Sequence, residues 1–543
     1  MANVADTVRN AAQRRAGAPA LVTGEAGSPP ITWADLDARV DAIAAGLRRL
    51  ELPPSLGAPA RVAVALPLTG DHAAAIFGVL RAGLVLVPVN PAYTPRELRH
   101  VLSDSGASVL ITIGPVAAAA AGIRADCPEL RYVYTVDQSA GTAAFAELAA
   151  PSSTVEIDAP GQDPAELAVL LYTSGTSGTP KGAMLSHQAL IANQRQVAAI
   201  EPPIIRGDDV VLLALPLFHI FGLSASLIGV AYHGACAVLP DRFDPRSVLD
   251  AVAQNRVTVV AAVPQTYSAM LAAATPTELR ASLASVRIAV SGAAPLPARV
   301  AGAFQELAGR SIYQGYGLTE TAPVVATALA SPTYKTGSIG RPVPGVEVRL
   351  VASDGTEVAR TTVDGLVAGA AAPHGALGFS DDDAFDTDGT DPGEIVVRGE
   401  NLFLGYWPDG GGGPDPDGWW ATGDVAYADP DGDLYLVDRL GELILVNGFN
   451  VYPHEVELVL AAHPGVAEAA VIGVPDAVTG EAAYAYVVPS ADGVTAEELS
   501  VHCAQNLARY KCPSSFEMVD KLPHSAIGKV RKAALRANLQ AAR

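Results

Sequence analysis

The sequence is poor in positive charge: 36 lysine and arginine residues stand against 57 acidic residues among 543, a formal net charge of −21. Binding to the phosphate backbone of nucleic acids, or to anionic lipid, depends on clustered basic side chains. We therefore exclude nucleic acid as a partner and expect at most peripheral contact with a membrane. Any polyanionic ligand must be held by local features of the chain.

Cysteine is also scarce, with only four residues, and no two of them form a CxxC pair. Scattered cysteines exclude a disulfide framework and a cysteine zinc site, and they are typical of a reducing compartment. The first thirty residues contain no apolar segment of the kind found in secretory signals. We expect a cytoplasmic protein.

Charge of either sign is absent from residues 210–240, a stretch long enough to cross a bilayer. Pro216 and Gly222 interrupt the stretch, and its flanks lack the basic asymmetry that orients a spanning helix. We interpret it as the buried wall of an apolar cavity.

With 50% hydrophobic and 17% charged residues, the chain has ample material for a core. From residue 61 onward, apolar runs alternate with helical patterns: Val62–Leu66, His72–Arg81, Leu84–Val89, a Thr-Pro-x-Glu helix start at Thr94, and Val109–Thr112. This βαβαβ alternation predicts a largely parallel sheet in an α/β body.

The C-terminal hundred residues have a pattern of their own. Two short strands, Asp433–Val437 and Leu443–Val446, bracket Gly441, which we predict to be a hinge. A βαβ-like region follows, with a helix opening at Pro453. The last 43 residues hold eight basic residues against two acidic ones, opposite in sign to the whole chain.

The long segment 366–393 contains six aspartates between Asp381 and Asp391. We predict that it is a solvated loop, as is Gly410–Gly413, and we assign it no function. Arg287, just before a predicted strand, is also expected to be solvated.

A phosphate-binding loop is the strongest chemical signal. The apolar strand ending at Tyr172 leads into Thr-Ser-Gly-Thr-Ser-Gly-Thr-Pro-Lys-Gly, in which glycines let backbone N–H groups converge and a lysine adds a cation. The spacing is not that of a Walker A loop. The residues expected to hold phosphate are Thr173, Ser174, Gly175, Thr176, Ser177, Gly178, Thr179 and Lys181.

Five motifs together give the sequence a resemblance to the adenylate-forming enzymes, which include acyl-CoA synthetases, luciferases and peptide-synthetase adenylation domains. They are Thr173–Gly182, Tyr313–Glu320, Thr422–Asp424, Asp438–Arg439 and Gly528–Lys529. Within that superfamily, Pro216–Gly222 and Ile444–Pro453 are most similar to fatty acyl-CoA ligases, with coumarate-type ligases next.

The resemblance implies an acyl-CoA synthetase-like fold: a large N-terminal body of α/β subdomains with a small barrel-like region, and a small mobile C-terminal α+β domain. We place the AMP- and acyl-binding domain at residues 1–438, the hinge at 439–442 and the C-terminal lid at 443–543.

The resemblance also implies how ATP and Mg²⁺ are held. Glu320, with Thr173, binds the metal; Asp424 accepts the ribose hydroxyls, and Arg439 reaches the same ribose or the phosphate. The remaining residues expected to contact AMP are Gly292, Ala293, Ala294, Gln314, Gly315, Tyr316, Gly317 and Thr319.

Catalysis is expected from Lys529, the adenylation lysine, together with Glu320, Thr319 and His219. By the same resemblance, the acyl group is bound by His219, Phe221, Gly222, Val263 and Gly315. Gly448 and Phe449 are expected at the CoA site. Many relatives carry lysines where this chain has Leu445 and Asn447, so its CoA contacts differ from theirs.

The implied activity is that of an ATP-dependent acyl-CoA ligase acting on an apolar acid, with a medium- or long-chain fatty acid as the expected substrate. The acid forms an acyl-adenylate and pyrophosphate, and CoA then displaces AMP. Two alternatives stay open: an acyl-AMP ligase that loads a carrier protein, and an aryl, coumarate-type CoA ligase. The intact Glu320, Arg439 and Lys529 oppose a catalytically silent nucleotide-binding protein.

Overall fold

The computed structural model describes the chain except residues 24–27, 55, 138–141, 151–162, 174–179, 241–243, 368–388, 440–441, 447–448, 477–478, 492, 508, 526–528 and 543. It divides into two compact units. The first comprises Met1–Gly337, Val343–Val346 and Arg398–Trp420; the second comprises Ser338–Pro342, Glu347–Val397 and Ala421–Arg543.

The strands carry the labels β1 (Pro19–Thr23), β2 (Ile31–Thr32), β3 (Arg61–Ala65), β4 (Val85–Pro88), β5 (Val109–Thr112), β6 (Tyr132–Thr135), β7 (Ala143–Ala144), β8 (Leu167–Thr173), β9 (Lys181–Ser186), β10 (Val210–Leu213), β11 (Cys236–Leu239), β12 (Val259–Ala262), β13 (Ile288–Ser291), β14 (Ile312–Gly317), β15 (Val324–Thr327), β16 (Arg341–Pro342), β17 (Glu347–Val351), β18 (Glu357–Thr362), β19 (Gly365–Leu366), β20 (Gly393–Arg398), β21 (Trp419–Ala428), β22 (Leu434–Arg439), β23 (Ile444–Val446), β24 (Phe449–Val451), β25 (Val466–Asp476), β26 (Gly480–Pro489) and β27 (Ser515–Met518).

The α-helices are α1 (Asp6–Arg15), α2 (Trp33–Arg48), α3 (Gly70–Arg81), α4 (Pro95–Ser105), α5 (Gly114–Gly122), α6 (Phe145–Leu148), α7 (His187–Ala198), α8 (Gly229–His233), α9 (Pro245–Gln254), α10 (Pro264–Ala273), α11 (Pro276–Ser282), α12 (Ala298–Ala308), α13 (Pro453–Ala461), α14 (Ala496–Asn506) and α15 (Lys532–Ala542). A π-helix spans Phe221–Ile228 and a 3₁₀ turn spans Thr319–Thr321.

Two sheets build the first unit. One has the order β7-β6-β5-β3-β4-β8-β9, and strands β3, β4, β5 and β6 pair in parallel. In the other, strands of this unit follow the order β15-β14-β13-β12-β10-β11-β1-β2, with β10 to β14 parallel. The predicted βαβαβ alternation and parallel sheet are confirmed.

The helix start predicted at Thr94 is confirmed by its hydrogen bonds. The backbone N–H of Glu97 donates to the Thr94 hydroxyl, and the Thr94 N–H donates to the Glu97 carboxylate at 2.9 Å. Gly106 ends helix α4 with a φ of 59°, a left-handed conformation that glycine adopts at little cost.

The uncharged stretch 210–240 forms β10, the π-helix, α8 and β11, and most of its residues are buried. No helix within the described parts of the chain is long and apolar enough to cross a membrane. The interpretation as a buried wall is consistent with this structure.

The second unit contains a six-stranded sheet, β19-β18-β17-β20-β21-β22, and a five-stranded sheet in which β24-β23-β26-β25 is extended by β27. The six-stranded sheet corresponds to the predicted barrel-like region. The predicted α/β fold class with a C-terminal α+β domain is confirmed.

The two strands on either side of Gly441 belong to different sheets, because β22 pairs with β21 while β23 pairs with β24 and β26. Two details of the sequence analysis were wrong. The C-terminal βαβ pattern begins as an antiparallel pair, β25 with β26, and only β26-α14-β27 is a parallel crossover. Asp391, the last aspartate of the acidic segment, is buried rather than solvated.

Several C-terminal basic residues are also paired internally. Lys511 contacts Glu455 at 2.9 Å, and Lys532 contacts Glu442 and Glu457 at 2.9 and 2.8 Å. Burial raises the pKa of Glu457, but Lys532 and His454 outweigh it and hold that pKa below its usual value. Part of the basic excess therefore stabilises the second unit.

Candidate active site

The two strands that flank the predicted phosphate loop form an antiparallel pair. Thr173, at the end of β8, lies opposite Lys181, at the start of β9. The loop residues Ser174, Gly175, Thr176, Ser177, Gly178 and Thr179 lie outside the described residues. Next to the loop, His100 Nε2 donates to the Pro180 carbonyl at 2.8 Å, so helix α4 supports one end of the loop.

Glu320 is a buried carboxylate in the short 3₁₀ turn that follows β14. The hydroxyl of Tyr406 donates to Glu320 Oε1 at 2.7 Å, and the Phe403 N–H donates to the Glu320 carbonyl at 2.9 Å. Lys181 Nζ lies 5.5 Å from the centroid of the Tyr406 ring. Tyr406 thus contacts two predicted ligands, Glu320 and Lys181. No sequence motif indicates this role, because both partners are distant from Tyr406 in sequence.

The residues around Glu320 fit a hard cation. Its Oε2 accepts no hydrogen bond from the described residues, which leaves one anionic oxygen for a metal. No cluster of three metal-ligating side chains occurs among those residues. Mg²⁺ is commonly held by one or two carboxylates together with phosphate oxygens and water, so a single buried carboxylate suits it better than it suits zinc.

The predicted adenine residues lie at the carboxyl ends of adjacent parallel strands. Ser291 of β13 pairs with Gln314 of β14, which brings residues 292–294 beside residues 314–317. Ala293 has a φ of 68°, a left-handed conformation that is strained for a residue with a Cβ. Ligands of α/β sheets bind at such edges.

Two of the predicted acyl residues, Phe221 and Val263, lie on an apolar surface next to this edge. Phe221 and Ala293 pack against Leu215, Ala261 and Val263. A Cβ placed on Gly292 would lie 3.1 Å from Cε1 of the Phe221 ring, so the glycine allows that ring to approach the backbone. The structure brings predicted nucleotide and acyl residues together here.

His219 begins the π-helix region. Its Nδ1 accepts a hydrogen bond from the Phe221 N–H at 3.2 Å, which assigns a ring proton to Nε2 in the neutral form. Its carbonyl accepts from the Leu223 N–H at 2.9 Å. π-helices are rare and frequently occur at functional sites.

Two glycines of the predicted acyl site differ in their surroundings. A Cβ on Gly222 would lie 2.3 Å from the Pro216 carbonyl oxygen, so glycine is required there for packing. At Gly315, the nearest atoms to such a Cβ are carbonyl oxygens at 3.8 and 3.9 Å, and the space is more open.

In the second unit, Asp424 and Arg439 are register partners on β21 and β22. The Asp424 side chain is buried, and its N–H donates to the Thr422 hydroxyl at 3.1 Å. The Thr422 hydroxyl in turn donates to the Ile395 carbonyl at 2.8 Å. These two hydrogen bonds hold the backbone at Asp424, the predicted ribose ligand, to the neighbouring strand β20.

Two hydrogen bonds join Lys529 to Ser525. The Ser525 N–H donates to the Lys529 carbonyl at 2.8 Å, and the Lys529 N–H donates to the Ser525 hydroxyl at 3.1 Å. Its side chain is exposed.

The predicted hinge residue Gly441 and the predicted CoA residue Gly448 lie outside the described residues, as does the side chain of Phe449.

Arg287 is paired rather than solvated, which corrects the expectation from the sequence. Its guanidinium forms an ion pair with the Asp209 carboxylate and donates to the carbonyls of Pro203 and Ile204 at 3.0 and 2.7 Å. Arg287 therefore has a structural role.

The motif order and the α/β architecture define the class of protein as an adenylate-forming enzyme. Residues 8–407 match the family model of the AMP-binding enzyme, and residues 455–529 match that of the AMP-binding enzyme C-terminal domain. The chain belongs to the AMP-binding enzyme family.

Named relatives cover nearly the whole chain. A long-chain-fatty-acid–CoA ligase from Yersinia pestis is 34% identical over 560 residues, covering 97% of this chain and 92% of the relative. A feruloyl-CoA synthase from Amycolatopsis sp is 38% identical over 522 residues, with 94% of each chain covered. The ATP-bound crystal structure of MatB from Rhodopseudomonas palustris superimposes with a TM-score of 0.85 at 29% identity and 99% coverage of both chains.

Proposed function

We propose that the chain is an ATP-dependent acyl-CoA ligase that activates an apolar carboxylic acid. The acid forms an acyl-adenylate with release of pyrophosphate, and CoA then forms the thioester with release of AMP. The observation that carries the proposal is the apolar surface of Phe221, Leu215, Ala261 and Val263, which meets the predicted nucleotide edge at Ala293. Relatives named as fatty acid–CoA ligases and as a feruloyl-CoA synthase support it.

The first half-reaction must bring a carboxylate against the anionic phosphates of ATP. Lys181 and the preceding loop offset this repulsion at the phosphates, and Glu320 holds Mg²⁺, which when bound neutralises phosphate charge. Asp424 accepts the ribose hydroxyls. Lys529 contributes a mobile cation to the carboxylate and the α-phosphate during adenylation.

The substrate is an apolar monoacid, with a medium- or long-chain fatty acid preferred. Residues 210–240 carry no charged side chain that would pair with a second carboxylate, and an unpaired buried charge is costly. Arg287 is already committed to Asp209. An aryl acid is the second candidate, because the feruloyl-CoA synthase shares a higher identity than the fatty acid ligase.

A panel of acids tests the proposal: octanoate, palmitate, ferulate and malonate, each assayed for AMP formation that depends on ATP and on CoA. We expect octanoate or palmitate to give the highest kcat/KM. Ferulate as the best substrate would favour the aryl ligase, and malonate would contradict the apolar site. A phosphopantetheinylated carrier protein replacing CoA in the same assay tests the alternative acceptor.

No disulfide bond joins Cys127, Cys236, Cys503 or Cys512 in the part of the chain that the structure describes. Cysteines without disulfide bonds suit a reducing compartment, so we keep the cytoplasm as the proposed location.

A further inference from the structure

Tyr406 contacts two residues that the proposed function assigns to ATP and Mg²⁺, although it belongs to none of the five motifs. We infer that Tyr406 is a positioning residue that holds the Glu320 carboxylate with its hydroxyl and the Lys181 ammonium with its ring. The inference rests on the proposed function for the identity of the ligands, and on the geometry for the rest.

The hydroxyl contact determines how the carboxylate can be used. Tyr406 Oη donates to Glu320 Oε1 at 2.7 Å, a favourable length for a hydrogen bond between two oxygen atoms. With Oε1 engaged, a buried Glu320 cannot turn freely, and Oε2 is left for the cation. Tyr406 thereby presets one oxygen of the metal site.

The ring of Tyr406 contacts Lys181, the cation of the phosphate-binding motif. Lys181 Nζ lies over the Tyr406 ring at 5.5 Å from its centroid, within the range of a cation–π interaction. Lys181 is the first residue of β9, the strand that follows the loop, and the only lysine or arginine of the Thr173–Gly182 motif. Its attraction to the ring holds the ammonium on the same tyrosine whose hydroxyl contacts Glu320.

Tyr406 is itself held firmly. Its N–H donates to the Gly411 carbonyl at 3.0 Å, and its carbonyl accepts from the Gly410 N–H at 2.9 Å. The centroid of its ring lies 5.0 Å from that of Phe403, in a T-shaped arrangement. The same segment pairs with β9 through the Trp407 N–H, which donates to the Gly182 carbonyl at 2.8 Å. The tyrosine is therefore anchored to the strand that carries Lys181.

The two contacts are separable by mutation. Tyr406→Phe removes the hydroxyl and keeps the ring, whereas Tyr406→Leu removes both. Tyr435→Phe is a matched control, because its hydroxyl lies 3.5 Å from Asp429 and its ring stacks on Tyr427, and neither of these partners is a predicted ligand.

The experiment is calorimetric binding of an ATP analogue with a methylene between the α- and β-phosphates, titrated with and without Mg²⁺ and with no acid or CoA present. Mg²⁺ is expected to increase the affinity for the analogue. We expect Tyr406→Phe to raise about tenfold the Mg²⁺ concentration that gives half of this increase. The Kd for the analogue without Mg²⁺ should change less than twofold. Tyr406→Leu should also weaken metal-free binding several-fold. Tyr435→Phe should match wild type.

A cycle with Glu320→Gln separates positioning from general structural support. If the Tyr406 hydroxyl acts through the Glu320 carboxylate, the double variant Tyr406→Phe, Glu320→Gln should show the same Mg²⁺ dependence as Glu320→Gln alone. An equal effect in both backgrounds, or a wild-type Mg²⁺ response in Tyr406→Phe, would overturn the inference. Because neither acid nor CoA is present, a protein that ligates no acid still gives a result, which separates this inference from the proposed function.

Discussion

Glu320 is buried, and the described residues donate a hydrogen bond to its Oε1 but not to its Oε2, which makes its substitution informative. Glu320→Gln keeps the shape and an oxygen that can still accept from Tyr406, but it removes the negative charge that a hard cation prefers. We expect an unchanged unfolding midpoint, a higher Mg²⁺ requirement and a loss of adenylation of two or more decades, measured by pyrophosphate exchange.

The control for Glu320 is Glu517→Gln, because Glu517 also accepts a tyrosine hydroxyl, that of Tyr484 at 2.9 Å, but does so on an exposed strand. Glu517→Gln should leave Mg²⁺ dependence as in wild type. If Glu320→Gln shows the same Mg²⁺ dependence as its control, Glu320 does not belong to the metal site.

Lys529 is exposed, and an alanine would keep the two hydrogen bonds that its backbone forms with Ser525. Lys529→Ala should therefore fold normally and abolish acyl-adenylate formation, each lost decade corresponding to ~1.4 kcal/mol of transition-state stabilisation. Thioester formation from supplied acyl-adenylate should be largely retained. Lys521→Ala, an exposed lysine of the same segment, is the control, and equal loss in both half-reactions would refute the role.

At the scale of elements, local sequence patterns were sufficient to predict a helix or strand where the residues that fix its ends lie close together in sequence. The capping residues Thr94 and Glu97 fix the start of α4, and apolar runs mark β3, β4 and β5 to within a residue or two. Strand partners were less predictable, because alternation with a period of two fixes which face is buried but does not name the neighbour. The antiparallel pairing of β25 with β26 was missed for this reason.

Contacts between residues distant in sequence were also beyond prediction. The pairing of Arg287 with Asp209 and the hydrogen bond from Tyr406 to Glu320 connect positions 78 and 86 residues apart. No local pattern marks either contact. The candidate site was predicted by motifs, whereas its supporting residues required the fold.

The π-helix region offers a prediction about packing. Because a Cβ on Gly222 would lie 2.3 Å from the Pro216 carbonyl oxygen, Gly222→Ala should lower the free energy of unfolding by about 1–3 kcal/mol through overpacking. Gly302→Ala in α12 is the control, since no atom lies within 4 Å of its added Cβ and alanine favours a helix by roughly 1 kcal/mol. Denaturant unfolding measures both, and a Gly222→Ala protein as stable as wild type would show that the backbone yields at this contact.

At the scale of the whole molecule, the predicted ligands are divided between the two compact units. Thr173, Lys181 and Glu320 belong to the first, whereas Asp424 and Lys529 belong to the second. The proposed reaction has two steps at one acyl carbon, and a lysine needed only for the first must leave room for the CoA thiol in the second. We therefore predict that the C-terminal domain exchanges between two orientations, one for each half-reaction.

The pivot of that exchange is predicted at Gly441, between β22, which belongs to the six-stranded sheet, and β23, which belongs to the five-stranded sheet. Residues 440 and 441 lie outside the described structure, so the hinge and the boundary at residue 438 stay predictions from the sequence. Gly441→Pro fixes φ near −65° at that position. We expect it to favour one orientation and to impair one half-reaction at least tenfold more than the other.

The two half-reactions are measured separately, as pyrophosphate exchange and as thioester formation from preformed acyl-adenylate. Gly441→Ala is the control, because it narrows the backbone freedom of glycine without fixing φ, and it should reduce both rates modestly and in proportion. Lys529→Ala supplies a reference for selective loss of the first step. If Gly441→Pro lowers both rates in proportion while its unfolding midpoint matches wild type, Gly441 is an ordinary turn glycine and the pivot lies elsewhere in the chain.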